Sequence, residues 1–136
     1  MLVKKRKLFI CSVNIINKNN ISINLIYGNI GLKVLEGGYL TPQQLEASRR
    51  ILAKHLKKKT GQLWMRGFSL MPKTKKPKEV RMGKGKGPIK GTYLNICAGS
   101  ILFELAGLSV ALSIYLLNLV MKKLSLKCTI LLRFTD

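Results

Sequence analysis

Residues 31 to 52 read GLKVLEGGYLTPQQLEASRRIL, a strand, a turn and a well-marked helix start in direct succession. Ile30, Leu32 and Val34 alternate within Asn29 to Leu40, and the pair Gly37-Gly38 supplies a turn. Thr41 is then a natural N-cap, Pro42 occupies the first helical position, and Gln44 stands where a capping box needs it. From Gln43 to Lys58 the apolar stripe is Leu45, Leu52 and Leu56, flanked by Ile51. Arg50, Lys54, Lys57 and Lys58 project from the opposite side, and the three lysines have no acid at i±4. A solvated lysine face is the ordinary reading of such a stripe. A face of one sign favours phosphate instead. His55, the single histidine, lies beside the apolar stripe with no carboxylate nearby and reads as a packing residue or a backbone contact rather than a catalyst.

Outward from the helix, Thr60-Gly61 ends it and Gln62 to Phe68 (QLWMRGF) reads as the next strand. Alternation sets Trp64, Arg66 and Phe68 on one face and Leu63 and Met65 on the other. Aromatic residues interleaved with arginine can stack bases, although a core role for Trp64 and Phe68 is the stronger reading. Next comes MPKTKKPKEVRMGKGKGPIKG, residues 71 to 91, where Lys73, Lys75, Lys76, Lys78, Arg81, Lys84, Lys86 and Lys90 face one acid, Glu79. Three prolines, four glycines and the lack of an apolar period predict an irregular loop. Such a charged stretch cannot bury enough apolar surface to offset its ordering entropy, so a polyanion must hold it, and RNA is the first candidate. Neither nucleotide-binding fingerprint fits, because Pro88 follows where a helix would begin. Strands over Thr92 to Ile96 and Ile101 to Leu105, a helix from Ser109 to Lys123 and a strand from Lys127 to Phe134 complete the chain.

Composition supports one domain of 136 residues, with 47% hydrophobic residues and a formal net charge of +20. That charge points to nucleic acid or anionic lipid. Only Glu36, Glu46, Glu79, Glu104 and Asp136 are acidic, which leaves no carboxylate pair for acid–base chemistry and few metal ligands. An RNA-modifying enzyme therefore ranks last. Cys11, Cys97 and Cys128 are too far apart for a zinc site and read as small buried hydrophobes or free thiols. Residues 1 to 28 form a basic, Asn-rich arm: Lys4, Arg6 and their neighbours precede NIINKNNISIN, and the apolar run is too short for a signal peptide. Leu105 to Met121 carries no charge and ends at Lys122-Lys123. It is near the lower limit for a membrane span, so a small basic membrane-anchored protein stands as the alternative.

GLKVLEGGYLTPQQLEASRRIL, QLWMRGF before a Pro-rich basic segment, and KPKEVRMGKGKG together resemble the universal large-subunit ribosomal protein sixteen family, in its bacterial and organellar form. GSILFELAGL and KKLSLKCTI match the family's later elements more loosely, so the resemblance spans about Gly31 to Ile130. It implies an α+β fold, an antiparallel sheet packed with two helices, as a single domain over residues 29 to 136. It implies no enzyme activity, cofactor, metal or catalytic residue. It also implies binding to large-subunit rRNA near the aminoacyl-site tRNA and the peptidyl-transferase region, and a part in late subunit assembly. By position, Arg49 and Arg50 match a basic pair on the first helix, Arg66 a strand arginine, and Arg81, Met82, Gly83, Lys84, Gly85, Lys86 and Gly87 the loop tip near the tRNA site. The family's N-terminal arm is longer and more basic, and its second helix is amphipathic. These departures point to a mitochondrial ribosome, with a neighbouring large-subunit protein over Ser109 to Met121 and no stable membrane insertion.

Overall fold

The computed structural model describes residues 24–56, 61–66 and 70–133. The expectations for the arm before Asn24, for Cys11, Lys57, Lys58, Thr60, Phe68 and Phe134 lie outside them. Strands β1 (Ile30–Val34) and β2 (Gly38–Leu40) lead into helix α1 (Pro42–Leu56). Then follow β3 (Gln62–Met65), β4 (Leu70–Thr74), β5 (Ile89–Ile96), β6 (Ile101–Ala106), α2 (Val110–Met121) and β7 (Cys128–Leu132). The fold is α+β with antiparallel pairing throughout, but its strands form two sheets rather than one. The larger has the order β3-β6-β1-β7 and the smaller β2-β5-β4.

The division begins inside the opening stretch. Asn29 to Leu40 is two strands, because the chain leaves the larger sheet after Val34 and joins the smaller one at Gly38. The Val34 N–H donates to Ser100 (2.9 Å) and the Gly99 N–H to Val34 (2.7 Å), closing that corner. The capping box forms as its residues predict: the Thr41 N–H donates to Gln44 Oε1 (3.0 Å) and the Gln44 N–H to Thr41 Oγ1 (3.3 Å).

Leu45, Leu52 and Leu56 of α1 enter one core with Leu32, Val34, Leu94, Ile96, Phe103, Leu116 and Val120. Helix α1 packs against α2, β3 and β5, while α2 packs against β1 and β7. Each fully buried large apolar side chain here contributes ~1.5–3 kcal/mol. Ser48 and Ser113 are buried as well, and each hydroxyl donates to the carbonyl four residues back (2.9 and 3.0 Å).

The strand over Ile101 to Leu105 and the helix after Gly107 form as expected, which removes the span that the membrane-anchored alternative needed. Leu105 to Met121 is not one helix: Leu105 and Ala106 belong to β6, Gly107 turns the chain at φ 77°, and α2 has 12 residues. At 1.5 Å per residue it is ~18 Å long, against ~30 Å of hydrocarbon. No described helix is long and apolar enough to cross a membrane. One further expectation changes: residues 71 to 91, read as irregular throughout, are strand at both ends, with Met71 opposite Tyr93 and Lys73 opposite Gly91. Pro72 is compatible because β4 is an edge strand of its sheet.

Candidate nucleic-acid interface

The basic segment is a β-hairpin whose stem is β4–β5, with residues 75–88 as its loop. The Lys75 N–H donates to the Pro88 carbonyl (3.1 Å) at the loop's base. Here the two sides approach closely: a Cβ on Gly87 would lie 2.9 Å from the Lys75 oxygen. Gly83, Lys84 and Gly85 have successive φ values of 102°, 55° and 82°. Such left-handed backbone suits glycine and is uncommon for lysine. A Cβ on Gly83 or Gly85 would meet nothing within 4 Å, so conformation rather than crowding requires glycine there. The Lys76 ammonium donates across the loop to the Gly83 carbonyl. Arg81, Lys84, Lys75, Lys78 and Lys90 are exposed, as is Lys73 on β4, and Met82 lies fully in solvent. The structure thus gathers most of the expected cations on one projection.

On α1 the balance differs. Arg49 and Arg50 both bond Glu46, at 2.8 and 3.1 Å, so two guanidinium groups share one carboxylate. Hydrogen bonds from Arg49 and then Arg50 lower the Glu46 pKa to about 2, and the same contact raises that of Arg49. Lys54 is exposed in the last turn, where a cation also suits the helix dipole. His55 is exposed rather than packed.

Arg66 has a different setting. Its Nε donates to Glu104 Oε1 (2.7 Å), its Nη2 to the Asn24 carbonyl (3.2 Å), and its guanidinium lies 5.5 Å from the centre of the Tyr27 ring. Glu104 is 0% exposed. Its other oxygen accepts the backbone N–H groups of Ile26 (3.1 Å), Tyr27 (2.8 Å) and Gly28 (2.8 Å). Burial pushes the Glu104 pKa up, but the N–H groups of Gly28 and Tyr27, with Arg66, outweigh it and hold the carboxyl below its ordinary value.

The arrangement clasps residues 24–28 onto the larger sheet. Gly28 is needed for contact, since a Cβ would lie 2.7 Å from the Leu105 oxygen. Trp64, opposite Glu104 in the register, stacks on Tyr27 (centroids 6.0 Å apart, planes at 19°) rather than entering the core. Sequence reasoning passed over Glu104. A lone acid inside ILFEL was the signal, since a carboxylate in an apolar strand requires partners when buried.

Among the described residues no group of His, Cys, Asp and Glu could hold a metal. Cys97 and Cys128 are partly buried free thiols, and burial pushes the Cys128 pKa up to about 11.

Against this geometry, the family model described as ribosomal protein L16p/L10e matches residues 3–131. The chain belongs to that family. Curated relatives named large ribosomal subunit protein uL16 include that of Psychrobacter arcticus, 46% identical over 107 residues (79% of this chain and 77% of the relative). Those of Spiroplasma kunkelii and Methylocella silvestris are each 41% identical, over 104 and 112 residues. They cover 76% and 82% of this chain, and 75% and 81% of the relatives. Family membership makes the chain a structural constituent of the large ribosomal subunit and not an enzyme.

Proposed function

We propose that the hairpin loop 75–88 binds large-subunit rRNA near the aminoacyl-tRNA site and the peptidyl-transferase region, bracing RNA in the shape that accepts tRNA. The observation that carries this is the loop itself: exposed cations around a tip, Gly83 to Gly85, whose backbone is left-handed and whose glycines have open space where a Cβ would stand. Arg81, Met82, Gly83, Lys84, Gly85, Lys86 and Gly87 form the part nearest tRNA. Lys73 and Lys90 on the stem and Lys75, Lys76 and Lys78 in the loop add phosphate contacts, and Arg49, Arg50, Lys54, Lys57 and Lys58 supply further ones. Arg66, also expected to meet rRNA, is bonded to Glu104 on the larger sheet and steadies the body of the domain, while the loop springs from the smaller sheet. The mechanism is positional. Lys and Arg displace counterions from phosphates, so six to ten contacts lose roughly a thousandfold or more in affinity between low and moderate salt.

The sequence departures support a mitochondrial ribosome. Bacterial relatives leave a bacterial particle as the rival location. A neighbouring large-subunit protein covers the outward side of Ser109 to Met121, where Val110 and Tyr115 are more than half exposed. Replacing Arg81, Lys84 and Lys86 together with alanine is expected to slow large-subunit assembly or tRNA accommodation while the isolated chain still folds. Sucrose-gradient profiles and translation rates indistinguishable from those of the unaltered chain would count against the loop.

A further inference from the structure

Leu94 and Ile96 of β5 turn into the core, which places Tyr93 and Asn95 on the other face of the smaller sheet. Register sets Tyr39 opposite Asn95 and Met71 opposite Tyr93. The Tyr39 and Tyr93 rings meet edge to face, with centroids 4.9 Å apart and planes at 87°. Tyr39 stays 47% exposed, although the Ser125 hydroxyl donates to its carbonyl (3.4 Å). These tyrosines, with Thr41, Gln44, Lys73 and Thr92, line a cleft of about 430 Å³, within the range of small-molecule sites. No acid lines it.

Two polar features of the lining make the cleft selective. Gln44 Oε1 is taken by the Thr41 N–H, so its amide nitrogen is the end left for a ligand. Lys73 contributes the one positive charge of the lining. On the same sheet face, behind the lining, Asn95 Oδ1 is buried with no hydrogen-bond partner among the described residues. Lys73 also lies on β4, which runs directly into the cationic loop, so an RNA strand held by the loop has a continuous path to the cleft.

We infer that this cleft receives one unpaired nucleotide of RNA, its base against Tyr39 and Tyr93, its edge at the Gln44 amide and its phosphate at Lys73. The inference rests on the RNA-binding reading above and adds a second, base-stacking contact to it. Unstacked bases are captured in this way by aromatic side chains, with hydrogen bonds to their edges.

The test is ultraviolet crosslinking of the full chain to a short single-stranded RNA, with affinity measured in parallel and crosslinked peptides mapped by mass spectrometry. A crosslink at Tyr39 or Tyr93 is expected. Tyr39→Leu should abolish that crosslink and weaken binding about tenfold, while Tyr39→Phe keeps both. Gln44→Glu retains the capping box but sets a carboxylate in the cleft, so it too should weaken binding several-fold. It serves alone if Tyr39→Leu fails to fold. With Arg81, Lys84 and Lys86 replaced by alanine, affinity falls but the tyrosine crosslink persists at saturating RNA. Unchanged affinity in Gln44→Glu, with crosslinks confined to 75–88, overturns the cleft and leaves the loop reading standing. No RNA binding by the unaltered chain overturns both. Crosslinking of Tyr39 to a neighbouring protein in the assembled particle, in place of RNA, overturns the cleft alone.

Discussion

Arg66 and Arg81 carry the same charge on the same side chain, yet the structure treats them in opposite ways. Arg66 is 16% exposed at its side chain, bonded to a buried carboxylate and a backbone carbonyl, and laid over an aromatic ring. Arg81 is exposed beside a left-handed tip with open space around its glycines. One is spent within the fold and the other faces solvent. A cation's role in a basic protein therefore follows from what already satisfies it, and a count of charges does not reveal that.

The comparison is broken most severely from the inner side. Glu104→Ala would strand the Arg66 guanidinium and three backbone N–H groups, and is expected to cost ~3–5 kcal/mol. That is a large part of the 5–15 kcal/mol typical of a domain. Urea unfolding measures it, and a loss below about 1 kcal/mol would show that the clasp contributes little.

A gentler probe is acid. Glu104 has a lowered folded-state pKa, so its stabilisation is complete above the unfolded value of about 4.3 and disappears as pH falls through the lower folded one. Glu46, at about 2, titrates in the same direction. The unaltered chain should lose stability below about pH 4.3, and Glu104→Gln should show a shallower decline over that interval. Equal slopes would assign acid sensitivity elsewhere.

The smallest effect on stability belongs to the tip. Arg81→Ala should change unfolding free energy by less than about 0.5 kcal/mol, while the slope of log affinity against log salt shrinks by roughly 0.7–0.9. A destabilisation matching that of Glu104→Ala would erase the distinction between the two arginines.

Local chemistry made the helix start legible, because Thr41, Pro42 and Gln44 act within one turn and need no distant partner. Family resemblance carried the α+β class. What stayed hidden depends on register. Trp64 opposite Glu104, and Tyr39 opposite Asn95, join residues far apart in the chain. No local pattern specifies which strands pair. The two-sheet division was missed for the same reason: GLKVLEGGYL alternates plausibly as one strand, and only the pairing of β2 with β5 removes it from the larger sheet. The irregular reading of 71 to 91 failed at its ends because Pro72 and Gly91 are tolerated where strands meet at an edge.

The chain has a single tryptophan, and it stacks against Tyr27 in the segment clasped by Glu104. Its intrinsic fluorescence is therefore an optical report on whether residues 24–28 are seated, while the hairpin, which has no tryptophan, contributes nothing to that signal. Release of the clasp can thus be followed without any label.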